Sequence, residues 1–171
     1  MLVVLLAGFS AITARWFVWP PQGMPAHVDA IVVLDGPSDL NRLQTALDLA
    51  RERRAPVLVI SYTIEGPHWW TGGSICAPEV KDVKVICFTP DPATTQGEAE
   101  FVGRVARQYH WHSIALVATA PQDPVAMLRT SRCFSGKIYM INASFPGSDW
   151  AGQVAHYWGG TLRALFLQRS C

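Results

Sequence analysis

Residues able to bind a ligand or move a proton gather in four short segments, each directly after an apolar run. The first holds Asp35, Gly36 and Ser38, with Arg42 a few residues on. The second is Ser61, followed by Tyr62 and Thr63. The third runs from Thr89 through Thr94 and Thr95 to Glu98, and the fourth holds Thr119 and Asp123. Asp35, Glu98 and Asp123 are acid–base groups. Ser38, Thr95 and Asp123 stand where helices are expected to begin, and the free N–H groups of a helix start favour an anion. Arg42, one turn into a helix, adds a cation that suits a phosphate or carboxylate. Plainer roles compete with these. Thr95 and Glu98 have the spacing of a capping box, Asp123 that of an N-cap before Pro124, Asp35 that of a turn residue, and Arg42 that of a solvated helix charge.

Familiar fingerprints are missing. There is no G-x-G-x-x-G after the first apolar run, no G-x-x-x-x-G-K-[ST] loop, no G-x-S-x-G elbow and no H-E-x-x-H. The five histidines lack metal spacing; His110 and His112, two apart, would point to different faces of a helix. No metal is therefore expected, and no particular cofactor is indicated.

The elements that must position these residues follow a regular beat. Residues 28–34, 56–61, 83–88, 113–119 and 137–141 are near-continuous apolar runs, as strands buried on both faces require. Between them lie helical patterns. One has a stripe of Leu40, Leu43, Leu47 and Ala50 behind a Ser38 or Asp39 cap. A second carries Ala99, Val102, Val105, Ala106 and Tyr109. A third opens at Asp123-Pro124 and runs through Cys133. The last covers residues 150–168, with Val154, Tyr157, Trp158, Leu162 and Leu165 toward the core. Alternation of this kind predicts an α/β fold: a Rossmann-like, three-layer, mostly parallel, doubly wound sheet of about five strands. The four polar segments then meet at one rim, where open α/β sheets bind ligands. Residues 63–82 hold no clear element; with His68, Trp69, Trp70, Gly72 and Gly73 they read as a lid or ligand-contacting loop.

Half of the 171 residues are apolar and 16% are charged, which suits one compact domain. A net charge of +1 offers no basic excess for nucleic acid. Residues 1–19 are almost wholly apolar, interrupted mildly by Gly8, Ser10, Thr13 and Arg15, and they read as a membrane anchor. A signal peptide competes, but the basic n-region and a cleavage site are missing. A start codon further upstream would supply that basic region. Residues 20–26 read as a Pro-rich linker and 27–171 as the domain. Cys76, Cys87, Cys133 and Cys171 form no C-x-x-C. One disulfide, Cys76 with Cys133, is expected if the domain lies outside the cytoplasm, against buried free thiols if it does not.

A resemblance rests on several of these segments. An apolar strand ends in Asp35-Gly36 and is followed by Arg42-Leu43. A Thr-Thr-Gln-Gly-Glu-Ala helix start covers residues 94–99. A Val-Ala-Thr strand end covers residues 117–119, before a helix bearing Arg129 and Arg132. This pattern resembles the YdcF-like family, which includes the SanA and ElyC envelope proteins of bacteria; residues 87–99 look most like its actinobacterial branch. The resemblance implies a Rossmann-like fold, a single-pass anchor in the cell membrane, an extracytoplasmic domain, and a link to peptidoglycan or lipid-carrier metabolism. It also brings an association with S-adenosylmethionine binding in another member. The chain departs from the pattern at Asp35-Gly36, at Ser61-Tyr62-Thr63, and at Asp123 and Ala126, where the family carries a His and an Arg.

Three functional expectations follow. One is an envelope protein handling an anionic, phosphorylated or lipid-linked ligand at a rim built from Asp35, Gly36, Ser38, Arg42, Ser61, Thr94, Thr95, Glu98, Thr119 and Asp123. The other is a non-catalytic binding or scaffold protein of the envelope. A nucleotide- or S-adenosylmethionine-binding domain is the third.

Overall fold

The computed structural model describes residues 1–36, 39–62, 76, 80–145 and 149–171. The expected lid over residues 63–82 falls mostly outside them, as does Ser38. Five apolar runs form parallel strands: β1 (Ala30–Val33), β2 (Val57–Ser61), β3 (Lys84–Phe88), β4 (Ser113–Ala118) and β5 (Lys137–Asn142). Their order is β3-β2-β1-β4-β5, with every neighbouring pair parallel. The chain therefore fills one half of the sheet, then reverses to fill the other, and the switch point lies between β1 and β4.

Alternate side chains divide the core between two faces. Ile31, Val33, Leu58, Ile60, Ala115 and Val117 pack on α2 (Asp39–Arg51) through Ala46 and Ala50. Val32, Leu34, Val59 and Leu116 face the opposite layer, formed by α3 (Thr95–Tyr109) and α4 (Asp123–Cys133) through Val102, Ala106 and Ala126. A three-residue 3-10 turn, Ala120–Gln122, leads into α4. This is a three-layer Rossmann-like α/β fold, as the apolar beat predicts.

Helix faces and caps differ from expectation in several places. Leu40 is 57% exposed, and Arg42, Ala46 and Ala50 take the inward positions of α2. Tyr109 and Leu162 stay solvent-exposed, as does Leu165. A bare periodicity count does not know how far a partner surface extends. The cap of α3 is Thr94, not Thr95: its Oγ1 accepts from Gly97 N at 3.4 Å. That shifts Glu98 past the capping position and frees its carboxyl for another partner. Asp123 is not an N-cap either. It is the first residue of α4, behind Gln122, and its Oδ1 accepts from Asn142 Nδ2 at 2.7 Å.

The cysteines correct the expected pairing. Cys76 bonds Cys87 on β3, and Cys133 bonds Cys171, with Cα–Cα distances of 5.6 and 4.9 Å. Cys87 packs on the α2 face, whereas Cys133 ends α4 on the other. A Cys76–Cys133 bridge would have to cross the sheet. No cysteine is free.

The N-terminal segment folds as α1 (Leu2–Thr13) and continues in π-helical turns over Ala14–Val18. The 12 residues of α1 reach about 18 Å at the usual rise, short of a hydrocarbon core of about 30 Å. Among the described residues no helix is long and apolar enough to cross a membrane. No residue of α1 is buried. The segment rests on α5 (Trp150–Phe166): Trp158 stacks on Phe9 and Phe17, and its Nε1 donates to Thr13 Oγ1 at 3.2 Å.

Candidate functional site

Beyond the carboxyl ends of β1, β3 and β4 lies a cleft of about 280 Å³. Asp35 and Gly36 form one wall, Pro90, Ala93, Thr94 and Thr95 a second, and Gln122 a third; His156 and Tyr157 of α5 close it. Glu98 lines its interior and is only 2% exposed. Thr94 caps the start of α3 and so places Glu98 in the first turn, where it meets the β1 loop across the switch point. There its Oε1 accepts from Asp35 N at 2.6 Å. Asp35 in turn holds Gly36: the Gly36 N–H donates to Asp35 Oδ1 at 2.9 Å. Gln122 Nε2 donates to Asp35 O at 3.3 Å, tying the β4 loop to the β1 loop.

Arg42 stands behind this wall. It is fully buried, and its Nη1 donates to Leu34 O at 2.8 Å. Gly36 has φ +135°, and a Cβ there would meet Arg42 Nη2 at 2.9 Å. Backbone freedom and close approach of the guanidinium thus both require glycine.

Burial pushes the Glu98 carboxyl up to about 7. The bond from Asp35 N and the nearby Ser61 hydroxyl favour its charged form, as does Arg42, while the Asp35 carboxylate opposes it. A carboxyl poised near neutrality inside a cleft can give or take a proton.

Asp123 is placed elsewhere. It lines a small apolar cavity of about 60 Å³ with Trp16, Pro20, Pro21, Pro124, Met127 and Met140. Among the described residues its Oδ2 is buried without a partner, and burial raises its carboxyl to about 7 despite the Asn142 bond. Of the sequence candidates, the structure gathers Asp35, Gly36, Thr94, Thr95 and Glu98 in the cleft. Arg42, Ser61 and Thr119 are buried, and Asp123 faces another cavity. Sequence reasoning missed Gln122, His156 and Tyr157. Gln122 sits in a loop already recognised as part of the rim, so its position carried a signal. His156 and Tyr157 belong to the last helix, whose pattern says nothing about the rim.

A second cleft, of about 510 Å³, adjoins the first and shares Thr94, Thr95, His156 and Tyr157 with it. Its own walls include Gln96, Arg129, Arg163 and Gln168. Among the described residues, no three His, Cys, Asp or Glu side chains gather as metal ligands. No protein-family model matches the chain, and neither a curated protein nor a solved structure matches it significantly.

Proposed function

We propose that the chain is a membrane-attached envelope protein of the YdcF-like kind that handles an anionic or phosphorylated ligand of cell-wall or lipid-carrier metabolism. The observation that carries this reading is Glu98, a buried carboxyl near neutral pKa that opens into the switch-point cleft beside Asp35 and Gln122. A carboxyl kept partly protonated can meet an anion without full repulsion and exchange a proton with it. Attachment through residues 1–19 is supported by their exposed apolar side chains and by Trp16 and Trp19, aromatic residues of the kind that favour membrane interfaces. Two disulfides support an extracytoplasmic domain, since such bonds persist in oxidising compartments.

The test is complementation in a strain lacking the native gene, scored by envelope resistance. Glu98→Gln keeps an acceptor for Asp35 N but removes the proton-exchanging group, and it is expected to fold and fail to complement. Full rescue by Glu98→Gln would remove the cleft from the function. A reporter fused to the C-terminus and active only outside the cytoplasm is expected to be active; an inactive fusion would overturn the topology.

A further inference from the structure

The second cleft has a charge distribution that the first does not explain. Arg129 of α4 is 8% exposed, yet among the described residues no carboxylate forms a salt bridge with it. Its Nη1 donates to Gln96 Oε1 at 3.0 Å and its Nη2 to Gln168 Oε1 at 2.5 Å, both neutral, and among the described residues its Nε is buried without a partner. Arg163 of α5 lines the same cleft. Arg132 lies beside it and donates to the carbonyls of Ala164 and Gln168 at 2.8 and 2.7 Å. Among the described residues none of the three arginines forms a salt bridge. Burial, then the charges of Arg132 and Arg163, lower the Arg129 pKa from its usual value; Glu100 opposes this. An arginine remains protonated under such stress, so three guanidinium charges stand together with Glu100 as the one carboxylate acting on Arg129.

The helix facing this cluster is bare where it lines the cleft. Gly159 and Gly160 are adjacent in mid-helix and both lie on the wall. Packing does not demand either. A Cβ at Gly159 would meet nothing within 4 Å, and one at Gly160 only Val125 at 3.9 Å. Two helix-weakening residues that make no close contact leave room for something to approach the backbone.

We infer that this cleft seats the phosphate or diphosphate group of the ligand, held by Arg129, Arg163 and His156 against the glycine face of α5. The inference rests on the proposed function and deepens it: the ester is anchored in the cationic cleft, and its reacting part reaches Glu98 through the shared Thr94–Thr95 boundary. Guanidinium groups with planar donors suit phosphate oxygens, and a cleft of this volume suits a small ligand.

The experiment uses the full chain in detergent and measures equilibrium binding of inorganic pyrophosphate and of farnesyl diphosphate. Arg163 is exposed, so Arg163→Ala is expected to fold and to weaken both probes by roughly tenfold or more, the loss of a charge-assisted bond. Gly159→Leu fills the cleft and is expected to reduce binding while the melting transition persists. Tighter binding of farnesyl diphosphate than of pyrophosphate identifies a lipid-linked ligand; equal binding identifies the phosphate group alone as the determinant. Wild-type protein that binds neither probe, or both variants binding like wild type, overturns the cleft assignment. Glu98→Gln separates the two readings. If it binds both probes but fails to complement, both stand. If it complements fully while Arg163→Ala loses binding, the cationic cleft stands and the Glu98 reading falls. If the cleft variants bind normally while Glu98→Gln fails to complement, the reverse holds.

Discussion

Glu98 and Asp123 are two carboxyls of similar burial with different surroundings. Glu98 accepts a backbone N–H from the β1 loop and feels the Arg42 guanidinium, whereas Asp123 has only the Asn142 amide. Both are raised in the folded chain, from 4.5 and 3.8 to about 7. The native state therefore keeps protons that the unfolded state releases over that interval. Their contribution to stability is fully present below about pH 4 and is lost as pH rises toward 7. Thermal unfolding followed from pH 4 to 8 is expected to show this decline. Glu98→Gln and Asp123→Asn should each flatten it, because a neutral amide has no proton to release. A slope unchanged in both variants would mean that the two groups titrate alike in the folded and unfolded chain. At this scale the sequence exposes the three carboxylates but not their partners, since a capping box and a cross-loop acceptor use the same Glu98.

Among the elements, α5 has the most divided role. Its buried residues are Tyr157, Thr161 and Ala164; its other faces support α1 through Trp158 and wall the two clefts through His156, Tyr157 and Arg163. Asp149 caps it, its Oδ1 accepting from Gly152 N at 3.0 Å. Gly159 then breaks helix propensity in a place where packing would accept a methyl group. Gly159→Ala is expected to stabilise the protein by about 1 kcal/mol, measured by denaturant unfolding. A destabilised variant would show that the glycine meets a structural need of the helix itself. The last helix was legible as a helix in the sequence, and so was part of its inner face. Its place over the rim was not, because hydrophobic periodicity defines a face and not the neighbour that face meets.

Across the whole molecule, the two disulfides hold segments that the sheet does not. Cys133–Cys171 ties the chain's last residue to the end of α4 across a separation of 38, and Cys76–Cys87 fastens Cys76 to the edge strand β3. Loss of the longer loop costs about 2–4 kcal/mol in the usual range for such bonds. Cys171→Ser is expected to lower unfolding stability by that order under oxidising conditions and to change little when the protein is already reduced. Equal stability of variant and parent under oxidising conditions would mean that the bond is absent from the protein in solution. The same bond lies near Gln168, which accepts from Arg129 Nη2 and, through its carbonyl, from Arg132 Nη1.

The sequence by itself determined the layered α/β architecture. Five runs of Val, Ile and Leu without alternation require cover on both faces, and the helical stretches between them supply it. It also located the rim, because the polar segments follow the strands directly. Only the tertiary structure decided which rim residues meet. Asp35, Gly36, Thr94, Thr95 and Glu98 share a cleft, Asp123 turns to an apolar cavity, and Cys76 finds Cys87 rather than Cys133. Burial and periodicity are local consequences of residue type and can be read along the chain. Hydrogen-bond partners, cystine partners and shared walls depend on distances between segments far apart in sequence, and folding alone sets those distances.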